Sequence, residues 1–347
     1  MATLKDLAEY TGYSIATISR ILNHDPSMSA GEETRKKVLE AANTLNYAAT
    51  KSRKGRSLKT ALNIGVAISC PYPQRREAYE KQWLSSLEQI CKEMKVAWFP
   101  MRFETRDSGS AKEEELDGIL AIGTFQNAQM NWLFHRCEHV VFIGTSPDEA
   151  RYDSVAVNPV AGMAQAMEYL TSYGHQHIGL IGPSLSMYHH GQCMSYEVIE
   201  GNYLDAMRMH GLGKYGWVLR AQVDPAETKR LLQEYLRSGQ PLPTALLAAT
   251  RENAEGALQA LTEHQIAVPK DMSIVVFSDL VQAAEEGELT SIEPQMDSMC
   301  RAAIRLLSEC MPGQALQIVR NVPKKSLIPP VLVRRNSVGE PREPQKK

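Results

Sequence analysis

No stretch of this 347-residue chain approaches the roughly 20 consecutive apolar residues of a membrane-spanning helix, and its first residues lack the basic-then-apolar pattern of a secretory signal. A cytoplasmic protein without a membrane partner is therefore expected. The six cysteines (Cys70, Cys91, Cys137, Cys193, Cys300 and Cys310) contain no C-x-x-C spacing, so they are read as reduced thiols and no zinc site is expected. His175, His177, His189 and His190 are read as loop and strand residues rather than metal ligands. Gly179 and Gly182 do not form G-x-G-x-x-G after a strand, there is no Walker loop, and no nucleophile stands in legible pairing with a base. Neither an enzyme nor a cofactor is expected. Leucine heptads are also missing from residues 335–347, which argues against a C-terminal coiled coil.

What is present is unevenly distributed. The net charge is only −2, yet residues 1–60 carry ten Lys/Arg against six Asp/Glu, and the remainder carries 28 against 34. A small basic head on a larger acidic body suits a nucleic-acid-binding segment joined to one that does not bind nucleic acid.

Residues 4–23 read as two short helices hinged at Gly12. Leu4, Leu7 and Ala8 line the first; Ile15, Ile18, Ile21 and Leu22 recur at helical spacing in the second, with Ser14 placed to cap it. Thr3 followed by Asp6 suits a capping box on the first helix. A third helix starts near Ser29, and Val38, Leu39, Ala42 and Leu45 form its buried stripe. Two helices joined by a short Gly-containing turn make a helix-turn-helix, whose second helix enters the DNA major groove. In that helix Ser14, Ala16, Thr17, Ser19, Arg20 and Asn23 are not needed for the core. Arg20 can make a two-pronged contact to a guanine edge. Ser14, Thr17 and Asn23 suit phosphates, which fix register. An ordinary helical hairpin is the alternative on pattern alone.

These motifs, Thr3–Ala8, then Gly12–Asn23, then Leu45-Asn46-Tyr47, resemble the start of the lactose/galactose-repressor family across the whole head. The resemblance implies a sequence-specific DNA-binding repressor of a carbohydrate-utilisation operon, with Ile15, Ala16 and Arg20 at base-reading positions. Ser29 and Tyr47 complete the expected contact set of the head. Residues 48–60 follow as a basic hinge, in which Lys51, Arg53, Lys54 and Arg56 suit phosphates. In the family this hinge folds on the operator and inserts a leucine into the minor groove. Here Leu58 is the apolar candidate, two or three residues late, and a disordered basic tether is the alternative.

From residue 61 to 334, short apolar runs alternate with amphipathic helices, as in parallel α/β layers. Their number exceeds one sheet. The expected fold is an all-α helix-turn-helix head plus an α/β body of two doubly wound parallel-sheet subdomains, and residues 335–347 are expected as a flexible polar tail. The order resembles the family's effector domain, of periplasmic-binding-protein type, through Tyr173–Gly182, Pro243–Ala245, Gly256–Leu258, Val268–Ser273 and Leu289–Ile292. The resemblance implies a small effector, a sugar or sugar phosphate, in a cleft near Tyr196, Thr250, Arg251, Ser278 and Asp279. Sugar-responsive relatives carry an Asp, an Arg, an Asn-Asp and an Asp where this chain has Gly144, Val198, Thr250-Arg251 and Ser278-Asp279. The alternative is a non-sugar or vestigial cleft, with control by a protein partner or by abundance. Arg251 reads either as attracting an anion or as bracing the helix over 253–264. A homodimer on a pseudo-palindromic operator is implied, with part of the apolar surface of helix 297–311 (Met299, Ala302, Ala303, Leu306, Leu307, Cys310) at its interface.

Overall fold

The computed structural model describes residues 4–22, 62–70, 76–103, 116–144, 146–182, 187–189, 192–194, 197–277, 289–310 and 322–342, with the isolated positions 31, 34, 37, 38 and 41. The chain divides into two compact units, Met1–Thr60 and Ala61–Lys347. In the first, helices α1 (Leu4–Thr11) and α2 (Ile15–Leu22) share a core of Leu7, Ile18, Ile21, Val38 and Ala41. Val38 belongs to the stripe expected from the sequence and Ala41 joins it one turn later; Leu39, Ala42 and Leu45 lie outside the described residues. Ile15 breaks its apolar pattern, for it is 47% exposed.

The second unit holds two six-stranded sheets. The first contains β1 (Asn63–Ser69), β2 (Ala97–Met101), β3 (Gly118–Gly123), β4 (Val140–Gly144) and β5 (Asp153–Val157), with helices α3 (Arg76–Met94) and α4 (Asn127–Arg136) between them. The chain then crosses through α5 (Pro159–Ser172) to the second sheet. In chain order come β6 (Ile178–Gly182), a separate two-stranded hairpin of β7 (Met187–His189) and β8 (Gln192–Met194), α6 (Glu197–Met209), β9 (Trp217–Arg220), α7 (Pro225–Arg237), β10 (Ala245–Ala248), α8 (Arg251–Glu263), β11 (Ser273–Phe277) and β12 (Thr290–Glu293). Helix α9 (Met296–Glu309) returns to the first sheet and ends at its strand β13 (Lys325–Ile328), and β14 (Val331–Val333) closes the second. The spatial orders are β13-β5-β4-β3-β1-β2 and β14-β12-β11-β10-β6-β9.

Both sheets are covered on both faces, which is why β3, β6 and β10 are buried along their whole length. Alternate residues serve opposite layers. Ile64, Val66, Leu120, Ile122, Val141 and Ile143 meet α3 and α9, whereas Ala67, Ile119, Ala121 and Phe142 meet α4. In the second sheet Ile178, Leu180, Leu247 and Val275 face α5 and α6, and Ile181, Leu246 and Ile274 face α7 and α8.

Three crossovers join the subdomains, and each is one or two residues long: Asn158, Pro294-Gln295 and Pro329-Pro330. Each leaves the carboxyl end of a strand (β5, β12, β13). The first two enter helices α5 and α9, and the third enters β14, which runs antiparallel to β12 with Val331 opposite Glu293, so the crossovers bring the two carboxyl edges together.

Three expectations change here. Helix α9 turns Met299, Cys300, Ala303, Leu306 and Leu307 inward against the first sheet and α3; Ala302 and Cys310 are half-buried. That apolar face is core rather than a free dimer surface, and each large side chain in it contributes about 1.5–3 kcal/mol by burial. Residues 335–342 are not simply a tail. Ser337 is buried, its carbonyl accepts from Ile274 N at 2.8 Å, and the Arg335 guanidinium pairs with buried Glu293 at 2.7 Å and donates to Leu289 O at 2.9 Å. Strands β13 and β14 and the β7–β8 hairpin were also not anticipated, being too short or too polar to show a period.

His175 closes this end of the second sheet. It is buried, with Nδ1 at 2.9 Å from Thr244 Oγ1 and Nε2 at 2.9 Å from both Ser273 Oγ and Gly339 O. Nε2–H can donate to the Gly339 carbonyl, while the Thr244 hydroxyl facing Nδ1 also lies 3.1 Å from His177 O and has one proton for the two. Burial holds its pKa below the ordinary histidine value, and the hydrogen bond to Gly339 opposes this in part. The unfolded chain therefore takes up a proton near pH 6.5, before the folded one does. The stability this provides is complete above that pH and is lost as pH falls through the folded value. Thermal melts at pH 7.5 and 5.5 should show a lower midpoint at 5.5, with a smaller difference in His175→Gln. An equal difference in the variant would exclude this role.

Candidate nucleic-acid interface and effector cleft

The head's turn is built from three local devices. Gly12 adopts φ +75°, a left-handed conformation that ends α1 where a side chain would be strained, and its N–H still reaches Ala8 O at 2.9 Å. The Thr11 hydroxyl donates back to Leu7 O at 2.7 Å. Ser14 then caps α2: its Oγ accepts from Thr17 N at 3.1 Å, and its carbonyl accepts from Ile18 N at 3.0 Å. The Ser14 and Thr17 hydroxyls also lie 2.8 Å apart, so they present one joined polar corner.

Helix α2 is thereby split into two faces. Ile18 and Ile21 are buried, while Ser14, Ile15, Ala16 and Arg20 are exposed and Thr17 and Ser19 are half-buried. Ile15, Ala16, Ser19 and Arg20 fall on one side of the helical wheel, a face with one apolar branch, one small residue and one guanidinium. Such a face can meet a thymine methyl, permit close approach and fork onto a guanine. Asn23, Ser29, Tyr47, Lys51, Arg53, Lys54, Arg56 and Leu58 lie outside the described residues.

In the body, open parallel sheets place ligands beyond the carboxyl ends of their strands, where the strand order reverses. In the first sheet that point lies between Ser69 of β1 and Gly123 of β3. Gly123 has φ +99°, and a Cβ there would fall 2.0 Å from Ser69 O, so the two strand ends close together as only glycine allows. The Tyr79 hydroxyl, from the first turn of α3, lies 3.4 Å from the same point. Trp83, one turn later, meets the Tyr79 ring edge-on with centroids 6.3 Å apart. Trp83 is buried, yet its indole Nε1 has no hydrogen-bond partner among the described residues; the hydroxyl of Ser146, just past β4, is in the same condition. A buried donor left unmatched costs about 1–3 kcal/mol. Met296 and Met299, just after the second crossover, belong to the same apolar cluster as Tyr79 and Trp83.

In the second sheet the reversal lies between β6 and β10. Thr250 and Arg251 follow β10 there, and of the expected cleft residues these are the ones described; Tyr196, Ser278 and Asp279 lie outside the described residues. The Thr250 hydroxyl is already engaged. It accepts from Asn253 N at 3.2 Å and donates to Asn253 Oδ1 at 2.8 Å, while buried Asn253 donates to Gln222 O and to Thr228 Oγ1. Thr250 is thus the cap of α8 and fixes where Arg251, the first helical residue, emerges. Sequence reasoning placed α8 two residues later and missed this cap. It also missed Tyr79 and Trp83, whose i, i+4 spacing reads as an ordinary apolar stripe.

Among the described residues no three His, Cys, Asp or Glu side chains converge on a point that could hold a metal ion, and no helix is long and apolar enough to cross a membrane.

The comparisons agree with this architecture. The family model for bacterial regulatory proteins of the lacI family matches residues 3–49, and that for a periplasmic binding protein-like domain matches residues 167–338. The HTH-type transcriptional repressor MelR of Bacillus subtilis (strain 168) is 32% identical over 98% of both chains. The HTH-type transcriptional regulator GanR of the same organism is 31% identical over 89% of this chain and 92% of its own. Among solved structures, the lac repressor dimer bound to operator and the anti-inducer ONPF shares the fold with a TM-score of 0.57 at 22% identity, covering 97% of this chain and 99% of that one. With a full-length match above 30% identity and a head that carries the family's own motif, this chain belongs to the lacI family of bacterial regulatory proteins.

Proposed function

We propose that the protein is a cytoplasmic, dimeric repressor that reads a pseudo-palindromic operator and is controlled by a sugar in the cleft between its two sheets. The observation that carries the reading is the division of α2, with Ile18 and Ile21 buried and Ile15, Ala16 and Arg20 exposed. Ile15, Ala16 and Arg20 contact bases. Ser14, Thr17, Ser19, Asn23, Ser29 and Tyr47 contact phosphates, together with Lys51, Arg53, Lys54 and Arg56 of the hinge, and Leu58 enters the minor groove. Two-fold symmetry presents two such heads to two half-sites.

The cleft reading is supported by the Tyr79 hydroxyl at the reversal point of the first sheet and by Arg251, which follows β10 at the reversal point of the second. Tyr196, Ser278 and Asp279 complete the cleft, and Thr250 acts through the helix it caps. A structural relative at 19% identity is described as the transcriptional regulator CelR in complex with cellobiose. The sugar acts by binding one inter-sheet angle better than the other, because only differential affinity shifts an equilibrium.

Replacing Arg20 with Ala should weaken operator binding by about 1–3 kcal/mol and relax selectivity at one base pair, whereas loss of a phosphate contact such as Lys54 should weaken all sequences alike. Competition binding against single-base operator variants distinguishes the two; uniform weakening by Arg20→Ala would remove it from the base-reading set. For the cleft, tryptophan fluorescence is titrated with galactose, glucose, cellobiose and their uronates. At least one should change the emission, and Tyr79→Phe should bind it about three- to tenfold more weakly. Silence across the panel would exclude a sugar response of this class.

A further inference from the structure

The carboxyl edge of the second sheet is held at its reversal point by one buried amide. Ala221 N donates to Gly182 O at 3.0 Å and Ala249 N to Ile181 O at 2.8 Å, so the end of β6 anchors the loop after β9 and the loop after β10 where each begins. Beyond those anchors Asn253 ties the two loops to each other. Its Nδ2 donates to Gln222 O at 2.8 Å and to Thr228 Oγ1 at 2.9 Å, and its Oδ1 accepts the Thr250 hydroxyl at 2.8 Å. One side chain of α8 thereby joins the β9–α7 loop, the first turn of α7 and the cap of its own helix.

An amide is a costly choice for that position. Asn253 is fully buried in the first turn of α8, whereas Ala254, Ala257, Ala260 and Leu261 along the same helix are buried and apolar. A buried amide is destabilising unless it is matched, and asparagine favours helix less than alanine or leucine does. An apolar residue of the same shape would fill the space without either cost, but it could not hold a backbone carbonyl of another loop. Gly256 permits the close approach that makes this bond possible. A Cβ there would lie 2.3 Å from Pro225 O and 2.7 Å from Thr228 Cβ, so the starts of α7 and α8 pack backbone to backbone. Both amide protons and the amide oxygen of Asn253 are in use, which fixes its orientation.

We propose that Asn253 is the positioning residue of this edge of the cleft: it fixes the loop carrying Gln222 and the helix start carrying Arg251, and through them sets the affinity for the sugar. This inference rests on the sugar-responsive repressor reading above. Asn253 itself need not touch the sugar, because its amide is fully engaged by protein. A loop released from its tie has to be ordered when the sugar binds, and that ordering weakens the complex.

The test uses the full-length chain and three variants. Asn253→Asp keeps the acceptor for Thr250 and loses the donor to Gln222 O; Asn253→Leu keeps the shape and loses every bond of the amide. Thr228→Val removes one partner of the amide but leaves the tie to Gln222. Sugar affinity is measured by calorimetry with galactose, glucose, cellobiose and their uronates, and operator affinity by fluorescence anisotropy on the gene's own upstream DNA without sugar. Amide hydrogen exchange is followed over residues 221–224, and thermal midpoints are recorded for all variants. Both Asn253 variants should bind the sugar about three- to tenfold more weakly and exchange faster over 221–224, with operator affinity within about twofold of the parent. Thr228→Val should match the parent in sugar affinity and in exchange, even where its midpoint falls. Should the carboxylate prevent folding, Asn253→Leu carries the same expectation. Sugar affinity within twofold of the parent in the Asn253 variants would overturn the proposal, as would equal losses in Thr228→Val at an equal fall in midpoint. Should the parent bind none of these sugars, the sugar reading fails separately. Exchange then decides the positioning role: faster exchange over 221–224 in the Asn253 variants alone upholds it, and unchanged exchange overturns it.

Discussion

The body depends on one constraint: two parallel sheets are stitched together three times by linkers of one or two residues, all leaving carboxyl edges. Linkers this short cannot let the sheets separate, so relative motion is confined to rotation about the stitches. They also force α5 and α9 to begin at the junction, and they place both carboxyl edges opposite each other. Gly162 shows how closely the layers meet there, since a Cβ on it would lie 3.0 Å from Pro330 and 3.1 Å from Ile292. The junction is thus packed as a core and hydrogen-bonded as a hinge.

The head is governed by more local physics. A glycine in a left-handed conformation, a threonine hydroxyl folded back on its own helix and a serine cap together fix the angle between two eight-residue helices. Isolated helices of that length are marginal in water, so Leu7, Ile18, Ile21, Val38 and Ala41 must supply the rest by burial. Because the same few residues set both stability and orientation, the exposed face of α2 is presented in one defined way.

Much of this was legible in the sequence. Strands such as β3 and β10 show as unbroken apolar runs because both of their faces are buried, and the helices between them show a 3.6-residue period. Ser14 and Gly12 announce the turn by residue type alone. Other features left no such mark. Arg335, Ser337 and Gly339 join the fold through hydrogen bonds to Glu293, Ile274 and Ser273, and a polar run that does this looks like a tail. The apolar stripe of α9 was legible, but period alone does not say whether a stripe meets its own chain or another. In the cleft, Thr250 is polar and correctly placed on the edge, yet its hydroxyl serves the helix. Trp83, apolar by type, carries the unmatched donor. Which side chain faces a ligand depends on partners that sequence spacing does not encode.

The central claim is that a reading helix of defined sequence preference is coupled to a sugar-responsive body. The most direct test is footprinting of the full-length protein across its gene's own upstream region, with and without the sugar that alters its tryptophan emission. A protected pseudo-palindrome whose protection shifts with that sugar is expected. Protection spread evenly over any sequence, and indifferent to the sugar, would contradict it.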